Sequence, residues 1–237
     1  MLRSLPRGGV SKAVALAAER GYGSDGKHDW ANLGRGSPET GELPGQPSRS
    51  FLEPLLTGSY QAATAYPDAG GAPALREAVA TYYNSLYREG RTSRYTASNV
   101  LVCAGGRNAL ARVVASLNRG VITGVPRVDY PAYSELLGAF GLAPPSVVNA
   151  AAWAEEGASG GVSHGAPRAL FLSNPTNPTG EVLHGEQLRS LLDAARAKGT
   201  TLVLDEFYRQ ARQLLPMLRG ELRSCAKHLL RGQTAAP

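Results

Sequence analysis

The sequence predicts an α/β fold, a mostly parallel sheet with helices on both faces. From about residue 72, segments with helical spacing alternate with short Val/Leu-rich runs, the order that builds a parallel sheet through crossover helices. The runs are continuously apolar, as strands covered on both sides must be. With 237 residues, 43% of them hydrophobic, the chain is long enough to bury such a sheet. No stretch reaches the roughly 18 consecutive apolar residues that suggest a membrane span.

The elements follow in order. Ala72 to Tyr87 sets Leu75, Val79, Tyr82, Tyr83 and Leu86 at helical spacing, with Pro73 near the start, where a missing N–H costs little. Asn99 to Cys103 (NVLVC) predicts a strand, and Asn108 to Leu117 a helix with Leu110, Val113, Val114 and Leu117 on one face. A short strand at Gly120 to Thr123 and a helix from about Ala132 to Phe140 come next. Arg168 to Leu172 (RALFL) predicts a buried strand, Gly185 to Lys198 a helix, and Thr200 to Leu204 (TTLVL) another strand. Ala154 to Ala166 reads as a surface loop or degraded helix. Residues 1–71 are rich in Gly, Pro and Ser, with one convincing helix around Phe51 to Ala63, and read as an arm that wraps a domain or partner. The apolar run Ala13 to Ala18 ends in Glu19-Arg20; it is short for a signal core and predicts a short helix instead.

The net charge of +6 is localised. Through Tyr208 there are 19 basic and 18 acidic residues, whereas Arg209 to Pro237 holds six basic and one. Basicity confined to one tail, without interleaved aromatics, argues against a nucleic-acid partner. Cys103 and Cys225 have neither metal nor redox spacing, so a reducing, cytoplasmic setting is expected and no metal site is predicted.

Three segments could carry chemistry. After NVLVC comes Ala104-Gly105-Gly106-Arg107-Asn108. A glycine pair opening a helix lets backbone N–H groups approach a phosphate, although glycines there also serve simply to make the turn. Ser173-Asn174-Pro175-Thr176-Asn177-Pro178-Thr179-Gly180 follows RALFL; its prolines and glycine hold an Asn side chain as a directed amide at a strand's carboxyl end. Asp205-Glu206-Phe207-Tyr208 follows TTLVL. An acid there is a usual ligand position in open α/β sheets, or else a helix cap or a surface ion pair.

In this order and spacing the three segments resemble the aminotransferase class I/II family, the aspartate aminotransferase-like branch of fold type I pyridoxal phosphate-dependent enzymes. NPTNPTG with DEFY is the most specific part of a resemblance covering about residues 30–208. The resemblance implies a fold type I large domain and pyridoxal 5'-phosphate as cofactor. It implies that Gly106 and Arg107 hold the phosphate and that Tyr130, in Tyr130-Pro131-Ala132-Tyr133, stacks on the ring. Asn177 and Tyr208 would share the cofactor's 3′ oxygen, and Asp205 would pair with the pyridine nitrogen. Gly36, in Gly34-Arg35-Gly36-Ser37-Pro38, matches a glycine beside the substrate, and Tyr66 a tyrosine that reaches the phosphate of the other subunit. Amino acid and 2-oxo acid substrates, a homodimer and no membrane partner are what the resemblance implies.

The family's Schiff-base lysine should follow a further strand beyond Asp205. Of the four lysines, only Lys227 follows Asp205, 22 positions on, in Ser224-Cys225-Ala226-Lys227. From Arg209 onward there is no Val, Ile or aromatic residue to build that strand; Leu215, Leu218, Leu222 and Leu229 instead recur at helical spacing. The reading is an N-terminal arm (1–71), a partial cofactor-binding large domain (72–208), incomplete at its C-terminus, and a basic helical tail (209–237) unlike the family. The function expected is transamination by an enzyme of which this chain is an inactive, truncated form. The alternatives are a lyase or cyclase of amino acid secondary metabolism, or a non-catalytic remnant.

Overall fold

The computed structural model describes residues 9–22, 53, 66, 68–156 and 166–209. Apart from Glu53, the expected helix at Phe51 to Ala63 lies outside the described residues, as do most of the loop after Glu156 and the tail beyond Arg209. The chain divides into two compact units, one spanning Gly9–Ala109 and one running from Leu110 onward.

In the first unit, α1 (Gly9–Glu19) contains the short apolar run, and α2 (Pro73–Tyr87) begins on its proline as expected. Ahead of α2, Arg76 ties the chain down. Its Nε donates to the Gly71 carbonyl at 3.1 Å, and its guanidinium lies 3.5 Å from the Asp68 carboxylate. Gly71 has φ +92°, and a Cβ there would lie 2.5 Å from Cβ of Val102, so only glycine fits. The predicted NVLVC strand is corrected. Ala97–Asn99 forms one 3-10 turn, and the following residues join no ladder among the described residues. Val100 is extended, at φ −120° and ψ 128°, and Val102 donates one backbone bond, to Gly70. β-propensity predicts the backbone conformation, but a strand needs a neighbour to pair with.

Helix α3 (Gly106–Ala115) starts two residues earlier than predicted and runs into the second unit, where Leu110 and Val114 are buried. There, β1 (Thr123–Pro126), β2 (Ser146–Val148), β3 (Ala169–Ser173) and β4 (Thr201–Asp205) form an all-parallel sheet in the order β2-β1-β3-β4. β1 lies three residues beyond its predicted place because Gly120, at φ +84°, belongs to the turn before it. The crossovers are α4 (Ala132–Ala139), α5 (Ala150–Glu156) and α6 (Gly185–Lys198). Sequence reading missed β2 and α5. β2 has three residues after two prolines; α5 is marked only by Asn149, whose carbonyl side chain accepts the Ala151 and Ala152 N–H groups at 3.2 Å, an N-cap.

The strand order explains the two-layer cover. β1 connects outward to β2, and the chain then returns past β1 to β3 and β4. Right-handed crossovers therefore place α4 on one face and α5 with α6 on the other. Side chains of β3 alternate accordingly. Ala169 and Phe171 join Leu110, Val114, Tyr133 and Leu137 on one side, while Leu170 and Leu172 join Trp153, Leu191 and Ala194 on the other. All strand carboxyl ends consequently open on one edge of the sheet.

Candidate functional site

Asp205 ends β4 and stands in register with Ser173, the last residue of β3. Its Oδ2 accepts the Tyr133 hydroxyl at 3.2 Å and its Oδ1 accepts the Phe207 N–H at 3.1 Å. Tyr133, from α4, is only 2% exposed. Burial, and then the negative charges of Asp205 and Asp129, push its hydroxyl well above the ordinary tyrosine value. The phenol therefore keeps its proton and remains a donor to Asp205. Its ring meets Tyr130 edge-on, with centroids 5.7 Å apart, and Phe171 at 6.0 Å.

The loop after β3 is braced from within. Asn174 donates through Nδ2 to the Leu183 carbonyl at 2.9 Å and accepts the Leu183 N–H at 3.0 Å. Its backbone N–H donates to the Asp205 carbonyl at 2.9 Å. Thr176 donates its backbone N–H to Glu181 O at 2.8 Å, and Gly180 donates to Thr176 O at 2.7 Å. Both Asn-Pro bonds, 174–175 and 177–178, are cis. Of the two asparagines, Asn174 thus spends its amide on the turn. Asn177 donates its backbone N–H to Ser173 Oγ at 2.9 Å, and that serine leads to the loop after β1. Its hydroxyl donates to Asp129 Oδ1 and its N–H to Asp129 Oδ2 at 2.9 Å. Asp129 Oδ1 also accepts the Tyr130 N–H at 2.7 Å.

Of the residues singled out from sequence, Tyr130, Asn177 and Asp205 are brought together by this network at the carboxyl edge of the sheet. Tyr208, three positions beyond Asp205, packs edge-on against Phe207 with centroids 4.9 Å apart and is 40% exposed. Gly106 and Arg107 open α3, after Gly105 at φ +84°; Cβ atoms at Gly105 or Gly106 would meet nothing within 4 Å. These residues and the fully exposed Tyr66 belong to the first unit. Gly36 and Lys227 lie outside the described residues. Lys198, at the end of α6, is buried: its Nζ donates to the Trp153 carbonyl at 3.0 Å and sits 4.5 Å from that ring's centre, a structural use. Among the described residues no group of His, Cys, Asp or Glu could hold a metal ion, and no helix is long and apolar enough to cross a membrane.

Sequence reasoning missed Asp129, Tyr133 and Ser173 as parts of the site. Each stands at or just after the carboxyl end of a strand, or one helical turn beyond it. Asp129 was findable as an acid in the loop following a buried strand. The displaced prediction of β1 hid it.

A family model for aminotransferase class I and II matches residues 28–211. The chain belongs to that family. It is similar to a probable aminotransferase of Mycobacterium tuberculosis, with 33% identity over 162 residues, 66% of this chain and 36% of the relative. It is 26% identical over 199 residues to the aspartate aminotransferase of Geobacillus stearothermophilus, 76% of this chain and 45% of the relative. Among solved structures, an aminotransferase from Mycobacterium tuberculosis superposes with a TM-score of 0.63 at 24% identity, covering 87% of this chain and 52% of that one. The α/β architecture is thus the fold type I aminotransferase fold, and the chain spans about a third to a half of the length of the relatives it matches.

Proposed function

We propose that the protein acts in pyridoxal phosphate-dependent transamination, moving the amino group of an amino acid to a 2-oxo acid. The observation that carries this reading is the carboxylate of Asp205 at the end of β4, held by the Tyr133 hydroxyl beside the braced Asn177 loop. The donor set suits the ring half of pyridoxal phosphate. Two bonds to Asp205 leave acceptor capacity on its carboxylate for a protonated ring nitrogen. Asn177 and Tyr208 supply an amide and a phenol for the ring oxygen, and Tyr130 an aromatic face. Gly106 and Arg107 would take the phosphate through backbone N–H groups. When bound, the cofactor supplies an electron sink for charge developing at the substrate Cα.

The remaining assignments extend the same reading. Gly36 would lie beside the substrate and Tyr66 would serve the site of a second copy, which makes the working form a homodimer in the cytoplasm. The arm, 1–71, the partial large domain, 72–208, and the tail, 209–237, would be its divisions. Lys227 is the only lysine placed after Asp205 in sequence, and no buried strand is predicted to deliver it to Asp205.

Equilibrium dialysis of pyridoxal phosphate against the 237-residue protein, wild type and Asp205→Ala, tests the reading. Wild type should retain cofactor, Asp205→Ala should retain at least about tenfold less, the scale of a charged hydrogen bond, and the bound form should show no visible lysine-linked absorbance. Failure of the wild type to bind would sink the proposal. A lysine-linked band abolished by Lys227→Ala would instead assign that lysine to the imine.

A further inference from the structure

We infer that Asp129 is a positioning residue: its one carboxylate ties the loop carrying Tyr130 to the loop carrying Asn177 and so sets the spacing of the two groups that would hold the cofactor ring. The inference rests, for its functional meaning, on the cofactor reading above. Its geometry stands on its own.

Four bonds form an unbroken path. Asp129 Oδ1 accepts the Tyr130 N–H at 2.7 Å, and the Ser173 hydroxyl donates to the same oxygen. Asp129 Oδ2 accepts the Ser173 N–H at 2.9 Å, and Ser173 Oγ accepts the Asn177 N–H at 2.9 Å. The path thus runs from the backbone after β1 to the backbone after β3 through one carboxylate and one hydroxyl. Ser173 is only 4% exposed, so water competes poorly for these donors, and bonds to a charged acceptor are the stronger kind. Direction matters as well. A serine hydroxyl that donates to a carboxylate becomes a better acceptor on its own oxygen, which strengthens the hold on Asn177.

The neighbouring side chains have other partners. Asn174 is committed to Leu183 across the far side of its loop, and Asp205 accepts the Asn174 N–H through its main-chain carbonyl while its carboxylate meets the Tyr133 hydroxyl. Asp205 positions itself against Tyr133, whereas Asp129 positions the loops on either side. Replacing Asp129 by an apolar residue would strand the N–H groups of Tyr130 and Ser173 and free the serine hydroxyl to rotate away from its present acceptor.

The test uses the full chain as wild type, Asp129→Ala, Asp129→Asn, Ser173→Ala and the double variant Asp129→Ala/Ser173→Ala. Amide hydrogen exchange at Asn177, followed by NMR without cofactor, is the first readout; retention of added pyridoxal phosphate and the thermal melt are the second and third. Asp129→Ala should speed Asn177 exchange about tenfold and weaken cofactor retention about tenfold, the scale of one charge-assisted bond. Asp129→Asn, which keeps one oxygen acceptor, should fall between. Ser173→Ala alone should also speed exchange, and adding Asp129→Ala to it should change Asn177 little further, because the path passes through that hydroxyl. Unchanged exchange at Asn177 in Asp129→Ala overturns the inference. So does a fully additive double variant, which marks general destabilisation. If Asp129→Ala does not fold, the Asn and Ser173 variants decide between the same outcomes. Should wild type fail to bind pyridoxal phosphate, the cofactor reading falls while the exchange data still judge Asp129.

Discussion

Tyr133 shows how little the neighbourhood of a residue in the sequence says about its role. It stands in the YPAY segment three positions after Tyr130, and nothing in that segment sets it apart. Packing makes it a donor to Asp205, 72 positions away. Because burial and two carboxylates raise its pKa above that of a free tyrosine, the proton stays on in the fold after it has left the unfolded chain. The sign is fixed by linkage: the contribution is complete below about pH 10, the unfolded value, and is lost as pH rises beyond it. Tyr133→Phe should therefore lower stability at neutral pH by about 1.5–3 kcal/mol, a hydrogen bond to a charged group, and show a shallower fall at alkaline pH. Urea melts of both proteins from pH 7 to pH 11 would check this. Identical slopes would mean that the phenol does not titrate differently on folding.

At the scale of the element, β3 organises the second unit. Its five residues are all buried, and their alternation feeds two cores at once. Leu170 is fully buried against Leu191 and Trp153 on the face covered by α5 and α6. Leu170→Ala should cost about 2–5 kcal/mol, lost transfer energy plus a cavity. Leu192→Ala, at a position 47% exposed on α6, should change stability by less than about 0.5 kcal/mol. Comparable losses at the two positions would contradict the assignment of faces. α6 was legible to its last residue because its helical period is long and Gly199, at φ +61°, closes it. α5 and β2 were not, since elements of seven and three residues carry too few positions for a period to declare itself.

At the scale of the molecule, the sheet has an exposed edge among the described residues. β4 pairs only with β3, and Leu202, Val203 and Leu204 are half-buried. At the other edge Val147 of β2 is 62% exposed. Open parallel edges with apolar side chains template further pairing. The chain should therefore associate as its concentration rises, measured by light scattering across a dilution series at neutral pH. A monodisperse monomer with a sharp, reversible melt would show that these edges are covered.

The sequence by itself determined the class of fold, the helices α2, α4 and α6, the strands β3 and β4, and the segments NPTNPTG and DEFY that signal the family. Those features are local: a period, a proline, or a motif written in consecutive residues. Only the tertiary structure decided that Asn174 spends its amide on Leu183, that Lys198 is buried against Trp153, and that Asp129, Ser173, Tyr133 and Asp205 form one network. The four residues of that network come from a loop, a helix and two strands up to 76 positions apart, and parallel pairing of β3 with both β1 and β4 brings them to one edge. A hydrogen bond forms between atoms that are close in space, so its partners are legible only when the register of the sheet is known.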